Sequence, residues 1–76
     1  MNRAHSAMTI AVNGEPREVP AGATLPDLLA TLGIDPEGAR GIAVAVNEEV
    51  VRRARWGEVT LAAGDTVEVI TAVQGG

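Results

Sequence analysis

The stretch Pro20–Ile34 reads PAGATLPDLLATLGI, with turn residues at both ends of a single apolar stripe. Leu25, Leu28, Leu29 and Leu32 follow the i, i+3, i+4, i+7 spacing that lines one face of an α-helix. Thr24 stands where an N-cap belongs. Its hydroxyl can accept from the N–H three residues on, where Asp27 adds a carboxylate near the positive end of the helix dipole. Pro26 falls in the first turn, where a missing N–H costs nothing, and Gly33 supplies a left-handed cap. So short a helix is unstable by itself, and its stripe must pack against a sheet.

The flanking sequence supplies that sheet. Met8–Val19, MTIAVNGEPREV, alternates apolar and polar residues before Asn13-Gly14, a pair that favours a two-residue hairpin turn. A two-residue loop sets Val12 opposite Glu15 and Ile10 opposite Arg17, which brings charge onto the apolar face. A longer loop is the alternative register. After the polar connection IDPEGARG, Ile42–Asn47 reads as a strand with Ile42, Val44 and Val46 on one face and alanines on the other. EEVV fits a short strand or turn, RRARW a basic surface segment, and EVTL a short edge strand. Thr66–Val73 is the clearest strand, with Val67, Val69, Thr71 and Val73 on one side. The order is two strands, a helix, then strands. It predicts an α+β roll, a mixed sheet with one main helix on one face. Residues 1–7 read as a disordered leader, 8–73 as the domain and 74–76 as a flexible tail; Met8 is a second possible start.

Composition narrows the function. One domain of 76 residues without Cys has no disulfide, no thiol nucleophile and no thiolate zinc site. His5, in the leader, has no metal-ligand spacing around it, so no metal site and no cofactor are expected. A net charge of −4 argues against nucleic acid and suits a basic protein partner. The sequence contains no apolar run long enough to span a membrane, and a small disulfide-free domain fits a cytoplasmic setting. Arg52, Arg53 and Arg55 form a small basic patch that reads as a solvated loop, and Trp56, the sole aromatic residue, as a core or rim anchor. No nucleophile stands with a base, so the chain is not expected to be an enzyme.

The last strand runs into AVQGG (Ala72–Gly76). Without a Cβ, Gly75 and Gly76 can enter a channel too narrow for other residues, and no side chain shields the terminal carbonyl from attack. Those are the requirements of a carboxylate that is activated, for example as an acyl-adenylate, and then attacked. A frayed end is the plain alternative.

MTIAVNGEPREVPAGATLPDLLATLGI (Met8–Ile34), GIAVAVNEEVV (Gly41–Val51), Trp56, and GDTVEVITAVQGG (Gly64–Gly76) together resemble the thiamine-biosynthesis sulfur-carrier family. The likeness spans nearly the whole chain after the leader, and its closing block is the most specific piece. Arg52 departs from it, since several members carry Pro there. The resemblance implies a ubiquitin-like β-grasp roll. It implies that an ATP-dependent adenylating enzyme activates Gly76, that sulfur derived from a cysteine desulfurase makes the thiocarboxylate, and that thiazole synthase receives it. In that picture Gln74 and Gly75 enter the partner's active site and the free carrier is a monomer. Ile70 and Ala72, on the face opposite Val69 and Val73, are expected to form the partner-docking surface. Three alternatives stay open: the small subunit of molybdopterin synthase or another sulfur carrier, a ubiquitin-like modifier, and a binding module with an idle tail.

Overall fold

The computed structural model describes residues 6–38 and 40–71. The helix, α1, spans Leu25–Thr31 and is fixed at both ends by local chemistry. At its start the Thr24 Oγ1 accepts from the Asp27 N–H at 3.3 Å, and an Asp27 carboxylate oxygen accepts from the Thr24 N–H at 3.0 Å. This reciprocal pair satisfies two otherwise orphaned donors. At its end Gly33, at φ 85°, lets the Ile34 N–H reach the Leu29 carbonyl while the Gly33 N–H reaches that of Ala30. Two carbonyls of the last turn are thereby satisfied as the chain reverses.

Five strands form one mixed sheet: β1 (Ala7–Val12), β2 (Glu15–Pro20), β3 (Ile42–Val46), β4 (Glu49–Val51) and β5 (Thr66–Thr71), in spatial order β2-β1-β5-β3-β4. β1 and β5 are parallel and all other neighbours antiparallel. The expected roll of one helix on a mixed sheet is present. Leu25, Leu28 and Leu29 are buried in one core with Ile10, Val44 and Val67. Ile34 and Leu32 pack at its margin.

The first hairpin uses the two-residue loop. Val12 pairs with Glu15 and Ile10 with Arg17. Asn13 and Gly14, at φ 52° and 86°, make the left-handed turn. The charge on the core face is tolerated because β2 is an edge strand: Glu15 is exposed, and Arg17 is half-buried beside Leu32 and Val12, its stem on apolar surface. β1 begins at Ala7, inside the stretch expected as leader, because β2 runs on to Pro20 opposite it and the Ser6 carbonyl accepts from the Ala21 N–H. Residues 1–5 lie outside the described residues, as does the end of the expected last strand, Ala72 and Val73.

EEVV is the short strand β4 entered by a turn, RRAR is exposed and Trp56 is an anchor, as expected, and EVTL alone departs from expectation. Asn47-Glu48 closes a second two-residue hairpin, with Val46 opposite Glu49 and both turn residues at positive φ, 53° and 71°. RRARW belongs to a 3₁₀ turn, η1 (Arg53–Glu58), and its Trp56 is buried. The indole Nε1 donates to the Val51 carbonyl at 2.9 Å, tying η1 to β4. EVTL is no strand. Thr60 makes one isolated bridge to Thr24, the Leu25 N–H donates to Val59, and the Leu61 N–H donates to Ala23. The segment serves to brace the helix entry, and Leu61 drops into the core.

Two stability effects follow. The Thr24→Ala variant loses the hydroxyl half of the cap, worth about 1 kcal/mol. Its thermal midpoint should fall by roughly 4–8 °C. Hydrogen bonds from the Thr24 backbone N–H first, and with its side chain second, hold the Asp27 pKa below the ordinary carboxylate value. A depressed folded pKa stabilises fully above the unfolded value and ceases to do so as pH falls through the folded one. Thermal melts from neutral pH downward should therefore lose this contribution only on the acid side of about pH 4, and Asp27→Asn should remove that part of the acid dependence. Separately, Glu48→Gly should raise the midpoint. It relieves a left-handed penalty of about 1–2 kcal/mol at the cost of about 0.4–1 kcal/mol of added freedom in the unfolded chain.

Candidate functional site

The site is built outward from β5. This strand lies between β1 and β3, so its backbone is gripped from both sides over Thr66 and Val67. Its residues alternate across the sheet. Val67 is fully buried and Val69 half-buried beneath the helix, while Glu68 and Ile70 face the open side. Ile70 is 58% exposed.

Cross-strand register places its neighbours on that open face. Ile70 pairs with Ala43 on β3. One rung on, Glu68 pairs with Ala45, which pairs in turn with Val50 on β4. Val50 is 76% exposed. Val50 and Ile70 are the large exposed hydrophobic residues among those described, and they stand on one face with two alanines between their strands' rows. Of the two alanines Ala43 is exposed and Ala45 is buried, and Glu68 lies on the same face. The reading from sequence had Ile70 on the face opposite Val69, and the coordinates place it there. Sequence reasoning missed Val50, because its face depends on the Asn47-Glu48 hairpin. The valine pair Val50-Val51 was the available signal: one of the two had to point away from the core. Ala72, Gln74, Gly75 and Gly76 lie outside the described residues.

The basic patch is largely spent on the fold. An Arg53 Nη2 donates to the Glu37 carbonyl, and its guanidinium sits 5.8 Å from the Trp56 ring centroid, within cation–π range. Arg55 Nε pairs with Glu58 at 2.8 Å, an exposed contact of small energetic weight. Trp56, 3% exposed, is an anchor and offers no ring face for a ligand. Among the described residues no three His, Asp or Glu side chains converge as a metal set, and no helix is long and apolar enough to cross a membrane. The arrangement can present a central strand that leads to a glycine-ended segment, next to an apolar face.

Comparison with known proteins agrees with this architecture. The sequence profile of the ThiS family matches residues 10–76. A thiazole synthase of Magnetococcus marinus is 44% identical over 69 residues, covering 91% of this chain and 20% of that protein. The chain thus spans about a fifth of the length of that relative. The sulfur carrier protein ThiS of Thermus thermophilus is 38% identical over 65 residues, covering 86% of this chain and 95% of that one. The crystal structure of thiamine biosynthesis protein ThiS from Geobacter metallireducens superposes with a TM-score of 0.75 at 31% identity, over 91% of this chain and all of that one. With a matching profile over most of its length, a relative of its own size and the same β-grasp roll, the chain belongs to the ThiS family.

Proposed function

We propose that this protein is a sulfur carrier for thiazole formation in thiamine biosynthesis, and that the Gly76 carboxylate is its reactive group. The observation that carries the reading is the family match running through residue 76, on a fold whose last strand is held at the sheet centre. The sulfur carrier of Thermus thermophilus, matched over nearly its full length, supports the carrier role. The thiazole synthase of Magnetococcus marinus, which contains a segment like this chain, supports thiazole synthase as the acceptor.

The chemistry follows from the residues. A carboxylate is a poor electrophile at neutral pH. Attack by a Gly76 oxygen on the α-phosphorus of ATP, with loss of pyrophosphate, converts it into an acyl-adenylate inside the activating enzyme. The terminal sulfur of a partner's persulfide, loaded by a cysteine desulfurase, attacks the carbonyl carbon and displaces AMP, giving an acyl disulfide. A second partner thiol then cleaves the S–S bond, releasing the thiocarboxylate and leaving the partner thiols as a disulfide. Gln74 and Gly75 occupy the entry channel, where the absence of a side chain at Gly75 permits close approach. The chain contains no Cys, so sulfur has no other covalent seat on it. All catalytic groups belong to the partners, and the carrier acts as their co-substrate. It works as a monomer in the cytoplasm, where ATP is supplied.

Docking uses the open face, with Ile70 at its centre and Ala72 continuing it toward the tail. An exposed isoleucine gains by leaving water against a partner's apolar surface, and a charge put in its place would be desolvated at a cost. Basic groups on the partner match Glu68 on that face and the net charge of −4.

Intact-mass measurement after incubation with the activating enzyme, ATP and the sulfur source should show a gain equal to exchanging one oxygen for sulfur. Deleting Gly76 should abolish it. ATP turnover without that gain would replace sulfur by an amine acceptor, and no turnover at all would remove the carrier role. In the same assay Ile70→Glu should keep its thermal midpoint, as exposed substitutions alter stability by about 0.5 kcal/mol or less. It should nevertheless weaken binding to the activating enzyme at least about tenfold. Unchanged affinity in this folded variant would move the docking surface elsewhere.

A further inference from the structure

Two asparagines hold the last strand, one toward each end. Asn13 and Asn47 each take the first position of a two-residue hairpin turn, at φ 52° and 53°. Asn47 Oδ1 accepts from the Thr66 N–H at 3.0 Å, and its Nδ2 donates to an Asp65 carboxylate oxygen at 3.0 Å. This fixes the start of β5. Asn13 acts further along. Its Oδ1 accepts from the Val69 N–H at 2.8 Å and its Nδ2 donates to the Val69 carbonyl at 3.3 Å.

The Asn13 contact extends a ladder that the backbone has left. β1 pairs with β5 at Ala11–Thr66 and Val12–Val67, and the Asn13 N–H donates to the Val67 carbonyl at 2.9 Å. Then the chain turns away into β2. The Asn13 amide, with one donor and one acceptor, serves both backbone groups of Val69 that a longer β1 would have served. Past Val69, among the described residues, Ile70 and Thr71 pair only with β3, at Ala43 and Ile42.

We propose that Asn13 is a positioning residue for the carrier's tail: its side-chain amide fixes Val69 and so sets the origin from which the segment ending at Gly76 is aimed. This inference rests on the sulfur-carrier reading. On that reading five residues separate Thr71 from the reactive carboxylate of Gly76, and fully extended they span at most about 17 Å. A tether this short leaves little slack for an origin that wanders. Without the amide, Val69 to Thr71 are held on the β3 side alone. Each residue that frays must be ordered again when the tail docks, and that entropy opposes binding. The loss falls on formation of the complex and leaves the chemical step, carried out by the partner's groups, unaltered.

Asn13→Gly separates the two roles of the residue, because glycine accepts the left-handed turn but has no amide to offer. The variant should show faster Val69 amide exchange by NMR. In adenylation assays with the activating enzyme, its KM as carrier should rise roughly 5–30-fold, the equivalent of re-ordering one residue, with kcat at saturating carrier unchanged. Asn13→Asp keeps an acceptor for the Val69 N–H and lacks the donor, so its KM should lie between. Val19→Ala, on β2 and away from β5, is the stability control; it should lower the thermal midpoint and leave KM unchanged. A wild-type KM in Asn13→Gly, or an equal KM increase in Val19→Ala, would overturn the positioning role while adenylation of the wild type upholds the carrier reading. Failure of the wild type to be adenylated at all would sink the carrier reading and this inference with it.

Discussion

A helix of seven residues makes too few internal hydrogen bonds to sustain itself. α1 persists because Leu25, Leu28 and Leu29 leave water against Ile10, Val44 and Val67. Each such side chain contributes about 1.5–3 kcal/mol when buried, and a domain's net stability is only about 5–15 kcal/mol. The contact therefore organises the molecule. Ile10, Val67 and Val44 come from β1, β5 and β3, the three inner strands, so the helix lies across the middle of the sheet. The cap at Thr24 and the glycine reversal at Gly33 fix where the stripe begins and ends, which fixes which strand residues it can meet.

Covering one face of a sheet frees the other. Alternation along β5 sends Val67 and Val69 to the helix and Glu68 and Ile70 away from it. The exposed face has no packing demand to satisfy, and large apolar side chains there have no reason in the fold. Val50 and Ile70 occur there all the same, at 76% and 58% exposure, with Ala43 and Ala45 beside them in the strand register. It is this exposed apolar surface on which the docking proposal rests. The period of two along a strand thus separates the core face from the open face, and a substitution can reach one with little effect on the other.

The helix and its caps were legible because their causes are local: Thr24, Asp27 and Gly33 act within a few residues of where they stand. The first hairpin was legible at Asn13-Gly14 for the same reason, although its register required knowing that β2 is an edge strand where Arg17 can extend past the core. A strand or turn at EEVV was legible, but the two-residue form of the Asn47-Glu48 turn was not, since Glu48 at φ 71° gives no glycine signal and the turn is imposed by pairing of β3 with β4. Trp56 announced an anchor without announcing its partner, because the Val51 carbonyl is reached only after η1 has folded back. EVTL carried strand-like residues into a bracing segment for the helix entry, a long-range outcome. Alternation set Ile70 opposite Val69 from the start, but only the helix position says which of those faces is covered. Of the site, the glycine-ended segment spoke through chemistry alone, and the side-chain rung from Asn13 to Val69 spans 56 positions, beyond any local pattern.

Central placement of β5 has a physical rationale for a carrier. An edge strand is bonded on one side and frays toward its end, whereas β5 is bonded to β1 and β3 where it begins. The chain then changes character over a few residues. At Val67 the strand has β1 on one side and β3 on the other, at Val69 the Asn13 side chain stands where β1 has ended, and Ile70 and Thr71 keep β3 as their strand neighbour. Under the proposed function, strand pairing that decreases along β5 in this way would give a docking partner a fixed reference at Val67 and Val69. The length of β1 decides where this change falls, because β1 ends at Val12 and its turn hands the next rung to Asn13; for the proposed carrier, that makes β1 part of how its reactive end is placed.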